Sequence, residues 1–158
     1  AQSKLEAEHL AAAWSRHFVV RTSGLYGRPG PRSPGNFVLT MLRLAETHPT
    51  LRVVDDQRCT PSYVPHVARA VEFLLKTTAY GTYHVVNSGE TTWHEMAAEM
   101  FRQSGLDVRL ERISTAEYAA PAPRPAYSVL DTSKYLALKG RPPLPPWQDA
   151  LAHFLDSL

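Results

Sequence analysis

Leu51-Arg52-Val53-Val54-Asp55 is a short, buried-looking run, and Tyr83-His84-Val85-Val86 is another. Between them Val64, Val67, Ala68, Val71, Leu74 and Leu75 recur at the spacing of one helical face. The same rhythm extends in both directions. Upstream, residues 4–14 are rich in Ala, Leu and Glu, a helical composition, and His17-Phe18-Val19-Val20-Arg21-Thr22 is a β-rich run. It breaks into a stretch laden with Gly and Pro from Gly24 to Gly35. Phe37, Met41 and Leu44, flanked by Val38, Leu42 and Ala45, then lie at helical spacing and stop near Pro49. Downstream, Thr92-Trp93-His94-Glu95 has the form of a capping box, and Trp93, Met96, Ala97, Met100 and Phe101 make an apolar face behind it. Val108 and Leu110 alternate with polar residues as in a half-exposed strand. Trp147, Ala150, Leu151, Phe154, Leu155 and Leu158 anchor a last helix. Short strands separated by helices predict an α/β fold with mainly parallel strands and crossover helices. Residues 1–158 read as a single unit, with the look of half of something larger.

Composition excludes several classes of function. The chain has 158 residues, 44% hydrophobic and 20% charged, and a net charge of +2. That is enough for a real core. The scattered basic residues give no footprint for nucleic acid or an anionic membrane surface. No apolar run approaches the ~20 residues of a membrane span. The single Cys59 rules out an internal disulfide, and a cytoplasmic home is the default. His9, His17, His48, His66, His84, His94 and His153 form no close ligand pair, so no metal site is expected. The proline-rich breaks at 121–125 and 141–146 read as irregular loops bordering a site.

A dinucleotide fold needs a glycine-rich turn to bring backbone N–H groups against a pyrophosphate. Gly24-Leu25-Tyr26-Gly27-Arg28-Pro29-Gly30 does not serve, because Pro29 and Pro31 each withhold an N–H and no helix begins there. These residues alone are therefore not expected to bind a dinucleotide. Ala1-Gln2-Ser3-Lys4-Leu5-Glu6-Ala7-Glu8 reads as the second half of a Y-x-x-x-K signature whose tyrosine would stand just before Ala1. That signature is the proton-delivery pair of short-chain dehydrogenases/reductases.

Further segments carry a closer resemblance. They are Val19-Val20-Arg21-Thr22-Ser23-Gly24-Leu25-Tyr26-Gly27, Gly35-Asn36-Phe37-Val38 and Val53-Val54-Asp55-Asp56-Gln57-Arg58-Cys59-Thr60-Pro61-Ser62. Gly81-Thr82-Tyr83-His84-Val85, the run Arg124-Pro125-Ala126-Tyr127-Ser128-Val129-Leu130-Asp131-Thr132-Ser133-Lys134, and Leu144-Pro145-Pro146-Trp147 follow. In this order and spacing the chain resembles the dTDP-4-dehydrorhamnose reductases, extended short-chain reductases of nucleotide sugars. It is similar to their C-terminal half only.

The resemblance implies NADPH-dependent (or NADH-dependent) reduction of the C4 keto group of dTDP-4-dehydro-L-rhamnose to dTDP-L-rhamnose, with a dTDP-sugar as substrate. It implies that residues 1–23 end a Rossmann-like cofactor domain and that 24–158 are mostly its substrate-binding part. Lys4 matches the catalytic lysine, which holds the nicotinamide ribose and lowers the pKa of a neighbouring phenol, normally near 10. Thr22 and Ser23 match a strand end beneath the nicotinamide. Gly24, Asn36, Phe37 and Gln57 match positions bordering the substrate, and Arg124 matches an arginine that clamps the diphosphate. Family members commonly pair through helices that include the one bearing the lysine, so the resemblance allows a homodimer.

Each position also has a plainer reading. Lys4 suits a solvated helix face, Asn36 a helix cap, Gln57 a turn, and Arg124 a loop ion pair. Asp131-Thr132 reads as a cap for the next helix, and Trp147 as a core anchor. The chain departs from the family pattern too. Gly24 stands where a tryptophan packs against the sugar, Cys59 replaces a glycine, Ser62 a threonine, His66 an aspartate, and Tyr127 a frequent asparagine. Two other readings stay open: a related nucleotide-sugar epimerase, dehydratase or 4-ketoreductase, and a non-catalytic homologue that keeps the pocket. The 158 residues by themselves are expected to be catalytically silent and to need the family's N-terminal half for the cofactor.

Overall fold

The computed structural model describes residues 2–30 and 35–158. Ala1, which opens the Y-x-x-x-K remnant, and Pro31, read above as withholding an N–H, lie outside the described residues. In chain order the elements are α1 (Gln2–Ala12), β1 (Phe18–Arg21), β2 (Leu25–Tyr26), α2 (Phe37–Ala45), β3 (Thr50–Val54), β4 (Arg58–Cys59) and β5 (Ser62–Tyr63). Then come α3 (Val64–Leu75), β6 (Gly81–His84), β7 (Thr91–Thr92), α4 (Trp93–Ser104), β8 (Arg109–Ile113), α5 (Thr115–Tyr118), α6 (Ser133–Leu136) and α7 (Trp147–Leu155).

Strands pair mainly in parallel. β1 pairs with β6, Val19 opposite Thr82; β2 pairs with β5; β3 pairs with β8, Arg52 opposite Glu111. β4 and β7 run antiparallel. The two strands that bracket α3 in sequence are therefore not partners. Each pairs with a strand far along the chain, because alternation of elements fixes direction but not neighbours.

Two apolar clusters divide the interior. One gathers Val38 and Met41 of α2, Leu51 and Val53 of β3, Met96, Ala97, Met100 and Phe101 of α4, and Trp147, Leu151 and Phe154 of α7. The other sets Ala70 and Leu74 of α3 against Tyr83, Val85, Tyr135 and Leu144, with Phe18 and Val20 of β1 packed alongside. Trp147 is thus the core anchor it was expected to be.

The buried face of α3 is rotated from the sequence reading. His66, Ala70 and Leu74 are buried, with Val67 and Phe73 packed beside them, while Val64 and Leu75 are exposed. His66 was not counted as apolar, yet its ring is what starts the stripe. Its imidazole meets Asn87 Nδ2 at 3.0 Å and lies edge-on to the rings of Tyr63 and His153. Burial first, and His153 second, hold it below the usual histidine value. Leu158 corrects a second expectation: α7 stops at Leu155, and Leu158 is exposed.

Local chemistry explains the well-formed helices. In α4, Thr92 Oγ1 accepts from Glu95 N at 3.1 Å and Glu95 Oε2 accepts from Thr92 N at 3.0 Å, a complete capping box. Gly105 ends the helix in the left-handed region at φ 66°. Asp131, read as a helix cap, accepts from Ser133 N at 2.9 Å just ahead of α6. By contrast α1 buries no residue at all; Glu8 grips Arg21 of β1 through Nε at 3.0 Å and Nη2 at 2.5 Å.

Candidate ligand-binding site

A cavity of about 670 Å³ opens between α2, β3, the start of α4 and the segment that follows β8. One wall is helical: Phe37, Met41 and Leu44 stand above one another on α2. Seven residues of helix rise roughly 10 Å, the length of this wall. Val53 and Val54 of β3 form its floor, and Trp93 closes a corner with its ring 4.9 Å from that of Phe37. Gly24, Gln57 and Cys59 follow the ends of β1 and β3. Arg52 and Arg124 supply positive charge at its border.

The remaining wall is a strap, residues 114–128, fastened at both ends. At its start Ser114 and Glu117 form a second capping box. Thr115 N donates to Asp56 Oδ1 at 2.9 Å, and Thr115 Oγ1 donates to the same oxygen at 2.6 Å while accepting from Gln57 Nε2 at 2.8 Å. These bonds, the Thr115 hydroxyl first, hold the Asp56 carboxyl below its usual range. At its end, Arg58 N donates to Ala126 O at 2.8 Å, Ser128 N donates to Arg58 O at 2.9 Å, and Tyr127 OH donates to Glu90 at 3.0 Å. Between the fastenings Tyr118, Arg124 and Pro125 face the cavity.

Of the residues singled out in the sequence, Gly24, Phe37, Gln57 and Arg124 line this cavity; Lys4, Thr22, Ser23 and Asn36 do not. Gln57 is buried, and its amide also steadies the strap. Arg124 is exposed on the strap. Asn36 caps α2: its Oδ1 accepts from Leu39 N at 3.1 Å and its Nδ2 donates to Gly27 O at 2.7 Å. Lys4 is exposed on α1. Ser23 Oγ donates to Thr60 O at 3.0 Å, whereas Thr22 Oγ1 is buried and has no partner among the described residues.

Gly24 sits at φ +55°, and a Cβ there would lie 3.0 Å from Pro61 Cα and 3.1 Å from Thr60 O. Cys59 borders the cavity as a neutral thiol, since burial pushes its pKa up to about 11. It is no nucleophile at neutral pH. Among the described residues no group of three His, Cys, Asp or Glu is placed to hold a metal ion, and no helix is long and apolar enough to cross a membrane.

Sequence reasoning missed Arg52, Trp93 and Tyr118 as cavity residues. Arg52 carried a faint signal, a lone cation inside an apolar strand. Trp93 was read only as part of the apolar face of α4, and Tyr118 carried none.

Mainly parallel strands joined by helices, with a cavity toward the carboxyl end of β3, make this an α/β fold. The chain belongs to the RmlD substrate binding domain family, whose profile matches residues 1–158. It is 42% identical over 138 residues to the spore coat polysaccharide biosynthesis protein SpsK of Bacillus subtilis (strain 168), covering 87% of this chain and 46% of that protein. It is 40% identical over 147 residues to a dTDP-4-dehydrorhamnose reductase of Streptomyces griseus, covering 89% of this chain and 47% of that one. The crystal structure of dTDP-4-dehydrorhamnose reductase from Bacillus anthracis str. Ames in complex with NADP matches 99% of this chain and 54% of its own. There the TM-score is 0.88 and the identity 36%. The chain spans about half the length of the curated relatives it matches.

Proposed function

We propose that this chain is the substrate-binding side of an NADPH-dependent reductase that converts the C4 keto group of dTDP-4-dehydro-L-rhamnose to the alcohol of dTDP-L-rhamnose. The observation that carries this reading is the cavity of about 670 Å³ with Arg124 on its border, in a chain whose relatives include named dTDP-4-dehydrorhamnose reductases. The nucleotide lies along α2. Arg124, with no hydrogen bond or ion pair to the described residues, takes the diphosphate, and its planar fork suits two phosphate oxygens. Gly24 and Gln57 border the sugar, while Asn36 shapes the entry to α2 by capping it and holding Gly27.

Residues 1–23 form the edge of the cofactor side, and 24–158 mostly the substrate side. Thr22 Oγ1 supports this, since a buried hydroxyl without a partner is costly unless a ligand satisfies it. With Ser23 beside it and Lys4 on α1, it fits the nicotinamide end of NADPH, or of NADH. Lys4 would hold the nicotinamide ribose and stabilise a neighbouring phenolate by its charge. The cofactor, when bound, supplies the hydride. The enzyme would work in the cytoplasm, and the exposed Leu10 and Trp14, at the end of α1 and just beyond it, support pairing with a second copy.

Titrating dTDP into the protein tests the reading. Binding is expected, and Arg124→Ala should weaken it roughly ten- to a hundredfold, the worth of charge-assisted hydrogen bonds (about 1.5–3 kcal/mol). With the cofactor half restored, net consumption of NADPH marks a reductase. Product formed with no net loss of NADPH would assign the chain to an epimerase or dehydratase, and no binding at millimolar dTDP would overturn the reading.

A further inference from the structure

Segments far apart in the chain meet at one buried amide. Asn87 lies just beyond β6 and is 1% exposed. Its Oδ1 accepts from Tyr63 N, at the end of β5, at 2.9 Å. Its Nδ2 donates to Pro145 O, just ahead of α7, at 3.0 Å, and meets His66 Nδ1 at 3.0 Å. The partners settle the orientation of the amide. A main-chain N–H can only donate, so the oxygen faces Tyr63 and both hydrogens of Nδ2 are committed to Pro145 and His66. His66 Nδ1 therefore accepts, and the imidazole is neutral with its proton on Nε2.

The surroundings keep it so. His66 is 7% exposed, and it sits in the first turn of α3, where free N–H groups carry partial positive charge. The ring of His153 on α7 lies 5.5 Å away and that of Tyr63 5.1 Å away, both edge-on, and Arg69 follows on α3 itself. A proton added to His66 is repelled by Arg69 and by a charged His153. It also sets an N–H against Asn87 Nδ2, which has only hydrogens to offer.

What this junction supports reaches the cavity. The Tyr63 ring stacks on Tyr26 at 5.7 Å and packs against Phe154 of α7 at 5.7 Å. Its neighbour Ser62 donates from N to Gly24 O at 3.0 Å, and Thr60 and Pro61 are the backbone that Gly24 faces. On the other side Ser88 N donates to Pro145 O at 3.0 Å and Trp147 N donates to Ser88 O at 3.0 Å, which ties the start of α7 to the same few atoms.

We propose that His66 and Asn87 form an acid-released latch that joins β5, the segment after β6 and the start of α7, and whose release loosens the Gly24 border of the cavity. The latch is closed while His66 is neutral. A proton on Nδ1 breaks the bond to Asn87, and β5 loses the anchor that Asn87 gives it at Tyr63. The unfolded chain takes up this proton near the ordinary 6.5, whereas the folded chain, whose value is lower, resists it. The stability that the latch contributes is therefore full above pH 6.5 and declines as pH falls below it.

Denaturant unfolding of the parent and of His66→Gln tests the latch at about pH 7.5 and 5.5, one unit either side of the ordinary histidine value. Glutamine can accept from Asn87 Nδ2 but does not titrate. Between the two conditions the folded-to-unfolded ratio of the parent is expected to fall about five- to tenfold more than that of His66→Gln. Hydrogen exchange on the parent, corrected for intrinsic rates, should lose protection at the Tyr63 and Ser62 amides over the same range, and more than at Met100 on α4. If His66→Gln does not fold, NMR titration of the parent decides: the His66 ring should stay neutral, with its proton on Nε2, to below pH 6.5. Equal pH dependence of the parent and His66→Gln overturns the latch. So does unchanged protection at Tyr63 and Ser62, or a His66 ring that titrates at or above 6.5.

Discussion

Helices α1 and α4 are nearly equal in length, 11 and 12 residues, yet they are held by different physics. α4 has a complete capping box, a left-handed glycine at its end and five buried residues. α1 has no buried residue, and its Leu5 and Leu10 point to solvent, as does Trp14 just beyond its end. One ion pair, Glu8 with Arg21, fastens it to β1. A helix of this length is marginal alone, so α4 is stable because the fold wraps it. α1 leans on a single polar clasp. The difference teaches that helical composition, which both share, says little about how firmly a helix is built in.

The comparison can be broken most decisively in the core. Met100, on α4, is fully buried, and Met100→Ala is expected to cost about 2–5 kcal/mol in chemical denaturation. Leu10→Ala on α1 should stay within roughly 0.5 kcal/mol. Equal losses at the two sites would mean that Leu10 is covered in solution.

A smaller effect sharpens the role of the cap. Thr92 Oγ1 accepts from Glu95 N and donates to Asp55 Oδ1 at 2.5 Å. Thr92→Ala removes both, and a loss of about 0.5–2 kcal/mol is expected, with Thr92→Ser recovering most of it. A neutral Thr92→Ala would place the stability of α4 entirely in its apolar face.

The smallest effect concerns acid. The Glu8 carboxyl is held below its ordinary 4.5, chiefly by the hydrogen bond from Arg21. The folded state therefore favours the charged form, and this contribution is present above pH 4.5 and lost as pH falls through the lower folded value. Hydrogen exchange, corrected for intrinsic rates, should show α1 opening below pH 4.5 while α4 stays protected. The Glu99–Arg102 pair on α4 weakens in acid as well, but its buried face remains. Glu8→Gln should open α1 at neutral pH and flatten this dependence.

Much of this architecture was legible in the sequence, for reasons that also mark where legibility stops. β3, α2, α4 and α7 announce themselves because each repeats apolar residues over several turns or a full strand. β2, β4, β5 and β7 are two residues each and carry no period to read. The face of α3 was misplaced because a buried histidine was not counted as a core residue. In the site, Gly24, Phe37, Gln57 and Arg124 emerged from motif resemblance and do meet at one cavity. Tyr118 joins them only because Thr115 folds back on Asp56, 59 residues away, and Arg58 pairs with Ala126 and Ser128, while Arg52 and Trp93 enter from β3 and α4. Contacts of such separation leave no local trace.

Position 24 has a consequence for how the site can change over generations. What a new side chain would strike there is main chain, Pro61 Cα and Thr60 O, and main chain cannot swing aside as a flexible side chain does. Any larger residue must therefore arrive together with a shift of the 60–62 segment, which Gly24 itself anchors by accepting from Ser62 N at 3.0 Å. At Gly24 a single substitution meets backbone on the side of Thr60 and Pro61. A larger residue at position 24 therefore calls for a matching change in the 60–62 segment.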